Sequence, residues 1–229
     1  EMTLVVEGLR ENNLTRIFRI PPPDFDKPKN QEPVFHIRRA SVYDMTFRLK
    51  NVMYEESRYT GSGINWDDLE VRDINVEARR IDLTGPVMTG AVSFLSFTEK
   101  SGYICSSLTG KATVGNGRAL IEDIRISDPW SELYLPMYSM SYDSPLDFAD
   151  YIRKIRMEGV VENSFLDMKT LSFFAPGLDK TDLKATLSGT VSGTVDDLTF
   201  KSMDIVTSDS LRLDFDGNIT GLPDINESR

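Results

Sequence analysis

From Leu183 to Val195 the chain alternates without a break between two kinds of residue. Leu183, Ala185, Leu187, Gly189, Val191, Gly193 and Val195 fall on one side, and Lys184, Thr186, Ser188, Thr190, Ser192 and Thr194 on the other. A helix would scatter such a set around its axis, whereas a strand lines it up on one face. The pattern recurs at Ile104, Ser106, Leu108, Gly110, Ala112 and Val114, opposite Cys105, Ser107, Thr109, Lys111 and Thr113. It returns at Leu211, Leu213, Phe215, Gly217 and Ile219. Strands of this kind have one face that needs cover and one that accepts water. The expectation is a mainly β chain with an elongated, curved and mostly antiparallel sheet.

Turn residues punctuate the strands. Asn116-Gly117 is a type I′ hairpin pair, since both residues tolerate positive φ. Gly61-Ser62-Gly63 and Pro21-Pro22-Pro23 read as loops. Residues 21–33 carry five prolines, which divides the chain into N-terminal strands with a proline-rich loop (1–33) and a repeated β-domain (34–229). Ser144-Pro145 opens the one clear amphipathic helix, 145–155, with Phe148, Tyr151, Ile152 and Ile155 as its apolar stripe. A second, shorter helical turn fits Lys169 to Ala175.

Residues 107–126 align with 186–205 at a constant offset of 79. Leu108 meets Leu187, Gly110 meets Gly189, Ala112 meets Val191, and Ile124 meets Met203. Four segments share the spacing apolar-x-apolar-x-x-apolar-x-apolar: Ala40/Val42/Met45/Phe47, Leu69/Val71/Ile74/Val76, Ala119/Ile121/Ile124/Ile126 and Leu198/Phe200/Met203/Ile205. A three-residue step inside a period of two flips side chains to the wrong face. A bulge between the two halves would restore them. Glycines on the inward face have two readings, close approach of backbones or space left for a bound apolar chain; the first is preferred.

Composition removes several classes of function. Asp plus Glu is 36 against 26 Lys plus Arg, a net charge of −10, so no row of nucleic-acid phosphates would be neutralised. One cysteine, Cys105, permits no intrachain disulfide and no thiolate zinc site. One histidine, His36, permits no two-histidine metal site, and it reads as a polar-face residue. Cys105 reads as a small residue on the Ser/Thr face. Asp67-Asp68 and Asp196-Asp197 fit turns better than a catalytic pair. Trp130, Tyr134, Tyr138 and Tyr142 suggest either a sugar-stacking platform or, preferred, an amphipathic cover on an edge strand. No cofactor, metal or catalytic residue is expected, and a first residue other than Met reads as a fragment of a longer protein.

Several strings resemble the AsmA-like/TamB family of envelope proteins, and within it the Bacteroidota branch. They are Asp67 to Val76, Leu135 to Ser144, Phe173 to Leu178, Leu187 to Val195, and Gly221 to Ile225. The resemblance runs from about Val34 to Ile225. It implies a long sheet of repeated units rolled into a taco-like apolar groove in the periplasm, anchored to the inner membrane by an N-terminal helix outside this stretch. It also implies a non-enzymatic role in outer-membrane protein assembly, with a barrel partner, and in phospholipid transport between membranes. The expected groove lining is Leu108, Ala112, Val114, Leu183, Leu187, Val191 and Val195, with acyl chains as the ligand. The competing expectation is a β-rich surface module that binds carbohydrate or acts as an adhesin.

Overall fold

The computed structural model describes residues 2–8, 11–12, 34–51, 61–144, 147, 150–174 and 182–222. Its strands are β1 (Met2–Gly8), β2 (Glu11–Asn12), β3 (Val34–Asn51), β4 (Asp68–Thr84), β5 (Val87–Glu99), β6 (Ile104–Cys105), β7 (Ser107–Gly115), β8 (Arg118–Ser127), β9 (Glu132–Ser141), β10 (Arg156–Asp167), β11 (Lys184–Thr194), β12 (Asp197–Thr207) and β13 (Arg212–Thr220). Two short helices, α1 (Tyr151–Lys154) and α2 (Met168–Phe174), precede and follow β10. The strands form one open sheet in the order β13-β12-β11-β10-β9-β8-β7-β5-β4-β3-β1-β2, with β6 paired to β5. Neighbours from β3 to β13 run antiparallel, and β1 joins β3 in parallel. The chain is mainly β, as its alternation requires.

The interrupted apolar spacing has the expected cause. Asp44, Asp73, Asp123 and Ser202 each take φ between 50° and 53° in the three-residue step. Short polar side chains bear this left-handed conformation best, which explains three aspartates and a serine there. Both sides of one step, Ile121 and Ile124, lie within 3.6 Å of the Cβ position of Gly110 on the neighbouring strand, so they share its face. A further bulge sits at Asn163 (φ 41°) in β10, where the slot after the step holds Ser164. Ser164 is fully buried and replaces apolar packing with hydrogen bonds: the Tyr134 N–H donates to its Oγ at 2.8 Å.

The repeat holds at the level of register. In the β7–β8 hairpin Leu108 pairs with Ile126, Ala112 with Ile121, and the register shifts between Thr109 and Lys111. In β11–β12 Leu187 pairs with Ile205, Val191 with Phe200, and the shift falls between Ser188 and Thr190. Each of these positions differs by 79. The β7–β8 turn has Asn116 at φ 52° and Gly117 at φ 71°, the type I′ pair expected.

Other expectations need correction. Of the expected helix 145–155, the described residues form helical turns at Asp147 and Asp150 and then α1; Pro145, Leu146, Phe148 and Ala149 lie outside the described residues. Ile155 is nonetheless fully buried. Among the described residues α2 has seven residues and α1 four. β9 is an interior strand, between β8 and β10, despite Pro136. Cys105 is 2% exposed and packs with Ile64 and Tyr103, because a break at Ser106 separates β6 from β7 and reverses the facing. Residues 13–33, including the proline-rich loop, lie outside the described residues.

The polar face near β3 and β4 carries a pH-sensitive pair. Arg48 donates from Nε to Glu70 at 2.9 Å, and Arg72 donates to its other oxygen. The two guanidiniums hold the Glu70 carboxyl at about 2, below its ordinary 4.5. A depressed carboxylate stabilises the fold above its unfolded value and loses that contribution as pH falls through the folded one. The stability advantage of the native chain over Glu70→Gln should therefore shrink between pH 4.5 and 2 in urea titrations. An advantage independent of pH across that window would contradict the pairing.

Candidate functional site

The register assembles the apolar residues into rows that cross the sheet. One row runs Phe35–Leu83–Met88–Val114–Ala119 and continues Met140–Met157–Gly193–Leu198–Ile219. It takes one residue from each of ten strands. Nine strand spacings make it about 43 Å long. A parallel row runs Gly90–Ala112–Ile121–Tyr138, then Gly159–Val191–Phe200–Gly217. Leu187 begins a third with Ile205 and Leu213.

Five of the seven expected lining residues sit on this face: Leu108, Ala112, Val114, Leu187 and Val191, all half-buried. The other two fall off the strands. Leu183 precedes β11, where its carbonyl accepts the Met168 N–H at 2.9 Å, and Val195 lies in the β11–β12 turn. Among the described residues no second sheet covers the face. Its exposed residues are spread across the sheet: Leu213 of β13 is 52%, Met88 of β5 43% and Phe35 of β3 41% exposed.

Helices occupy the two rims. At one rim Tyr151 of α1 reaches the apolar face, 3.3 Å from the Tyr138 hydroxyl and 3.3 Å from the Met157 sulfur. Burial, with Tyr151 beside it, pushes the Tyr138 phenol upward. At the other rim Phe173 of α2 stacks on Trp130 at 5.7 Å and meets Tyr103 at 5.6 Å. This cluster encloses Cys105 and packs on Leu108 and Ile126. Burial, reinforced by the Asp128 charge, pushes the Cys105 thiol up to about 11, so it is an inert core residue.

The inward glycines are set for close approach. A Cβ on Gly189 would lie 2.3 Å from the Met203 sulfur, and one on Gly193 2.1 Å from the Asp197 carbonyl oxygen. Gly159 faces the Tyr138 ring at 3.3 Å. These contacts fit close approach of neighbouring strands, the reading preferred from the sequence. The tyrosines form no single platform: Tyr138 shares the apolar face with Ile121, whereas Tyr134 lies under the Arg125 guanidinium at 4.1 Å on the other. His36 is exposed and pairs with Asp82 across β3–β4. The acidic pairs sit at turns: the Asp67 N–H donates to Asn65 Oδ1 at 3.1 Å, and Thr194 donates to Asp196 at 2.7 Å.

Concavities on the described surface include two that are not lined by the expected groove residues. The larger, about 540 Å³, lies on the polar face and includes Arg118, Ser139, Arg156 and Glu158. The smaller, about 320 Å³, lies by Met203 and Phe215. Among the described residues no cluster of three metal-ligating side chains occurs. No helix there is long and apolar enough to cross a membrane. Comparison with family models, with curated proteins and with solved structures finds no match.

Proposed function

We propose that this chain is a non-enzymatic scaffold of the cell envelope, a periplasmic portion of an AsmA-like/TamB-type protein that carries phospholipid acyl chains on its apolar face. The observation behind this reading is the ten-strand apolar row with no second sheet over it among the described residues. Burial of apolar surface is worth roughly 25 cal/mol per Å², so a face of this extent favours an apolar occupant. Its length of about 43 Å is nearly three times the roughly 15 Å depth of one bilayer leaflet, enough for chains to move along it. Head groups would stay at the rims beside α1 and α2. In this reading an inner-membrane anchor precedes the stretch, and contact with an outer-membrane barrel partner during protein assembly lies elsewhere in the protein.

Native mass spectrometry of chain expressed in a bacterial envelope tests it. Co-purifying phospholipid is the expected result. Val191, paired with Phe200 and Gly159 on the apolar face, is the informative position. Val191→Glu places a carboxylate among methyl groups and should lower the loaded fraction by about ten-fold or more. Thr190→Glu, one residue along on the opposite face, should leave loading unchanged. Circular dichroism checks that both variants fold. Equal loading of the two folded variants, or a lipid-free native chain, counts against the reading.

A further inference from the structure

The polar face offers a second site, formed by residues that the apolar rows do not use. Beneath the α1 rim Ser141 pairs with Arg118 on one side and Arg156 on the other, so the three share one row and one face. The two arginine Cα atoms are then roughly 10 Å apart, a span that two guanidinium side chains close readily. In the next row Glu158 pairs with Ser139 and with Ser192. All six residues line the 540 Å³ concavity. Neither arginine, nor Glu158, has an ion-pair or hydrogen-bond partner among the described residues. Ser139, in the same row as Glu158, is only 4% exposed. Asp197, at the edge of the concavity, already accepts from the Asn218 amide at 2.8 Å.

The unspent charges are therefore two cations in one row and one anion in the next. Paired guanidiniums with a hydroxyl between them suit a tetrahedral oxyanion, which they grip by forked hydrogen bonds. Glu158 lies two residues along β10 from Arg156, about 6.7 Å. It repels a bare phosphate and attracts a compound that carries an amine at that distance. We propose that this concavity binds a phosphate–amine zwitterion, with the phosphate between Arg118 and Arg156 over Ser141 and the ammonium at Glu158 beside Ser139. A two-carbon link between phosphate and amine fits within the offset of the rows, the arginine and glutamate side chains leaning in to close the rest. The compound is either a lipid head group or its free counterpart.

Calorimetric titration of the chain with O-phosphoethanolamine and with inorganic phosphate tests the assignment. O-phosphoethanolamine should bind about ten-fold or more tightly than phosphate. Arg118→Ala and Arg156→Ala should each weaken it by about ten-fold, and Glu158→Gln should bring the two ligands within about two-fold of each other. Competition by phosphatidylethanolamine vesicles assigns the lipid as the source; its absence assigns the free compound, and either supports the site. The proposal is overturned by no saturable binding below about 10 mM, by equal affinity for the two ligands, or by unchanged binding in the double arginine variant. Val191→Glu, on the opposite face, should leave these titrations unaltered, so failure of the lipid reading and failure of this one are told apart.

Discussion

Gly193→Ala should destabilise the chain by about 3 kcal/mol or more, a large part of a typical total of roughly 5–15 kcal/mol. Two causes add. The backbone there has φ +122°, a conformation that a Cβ disfavours. The new methyl would also lie 2.1 Å from the Asp197 carbonyl oxygen, a backbone atom held by the β11–β12 turn. Neither cause applies at Gly110, whose Cβ would meet its nearest neighbour at 3.5 Å. Gly110→Ala should stay within about 1 kcal/mol of the native chain. Gly189 is the repeat equivalent of Gly110, yet it belongs between the extremes. Its φ is +152°, and a Cβ would meet the Met203 Cα at 3.0 Å as well as the movable sulfur. Urea midpoints should therefore fall in the order Gly110→Ala, Gly189→Ala, Gly193→Ala. A Gly193→Ala protein as stable as Gly110→Ala would show that the turn yields where the register says it cannot.

The contrast between those glycines indicates what a sequence reveals. Alternation locates β7, β8, β11 and β12 and their bulges, because period and polarity are local properties. The bulge at Asn163 escapes the same test for a local reason: Ser164 fills the slot that the spacing reserves for an apolar residue, and its burial depends on Tyr134 in another strand. Leu133, Leu135, Tyr138 and Met140 of β9 follow the same spacing, yet the regular tyrosines and Pro136 there point to a cover on an edge strand instead. Alternation puts Cys105 on the wrong face because one irregular residue, Ser106, inverts it. The rows themselves are beyond any local reading. Val114 and Leu198 join one line only through successive strand registers between them. The same holds for the polar concavity, whose Arg118 and Ser192 are each ordinary solvent-face residues until pairing brings them together.

Thr170→Val should loosen α2 from its rim and expose Cys105. Thr170 is 4% exposed and donates to Asp128 Oδ2 at 2.7 Å, with the Ser131 hydroxyl also at 2.7 Å. Asp128 in turn accepts the N–H groups of Trp130 and Ser131 through Oδ1, each at 2.7 Å. This network ties α2 to the start of β9, and the tie holds Phe173 over the cluster that encloses Cys105. Valine keeps the shape but takes the hydroxyl donor from Asp128 Oδ2 and leaves the Ser131 hydroxyl with only the Asp167 N–H, at a cost of about 2 kcal/mol. If that cost emerges as local opening of the rim, labelling of the thiol by a disulfide reagent should accelerate roughly thirty-fold. The Asp128 charge remains in this variant, so the thiol's own reactivity is unaltered and the rate reports opening alone. Thr186→Val, an exposed position on β11, serves as the control and should label like the native chain. Native-like labelling of Thr170→Val would mean that aromatic packing at Trp130 and Tyr103, and not the hydroxyl tie, keeps this end of the apolar face closed.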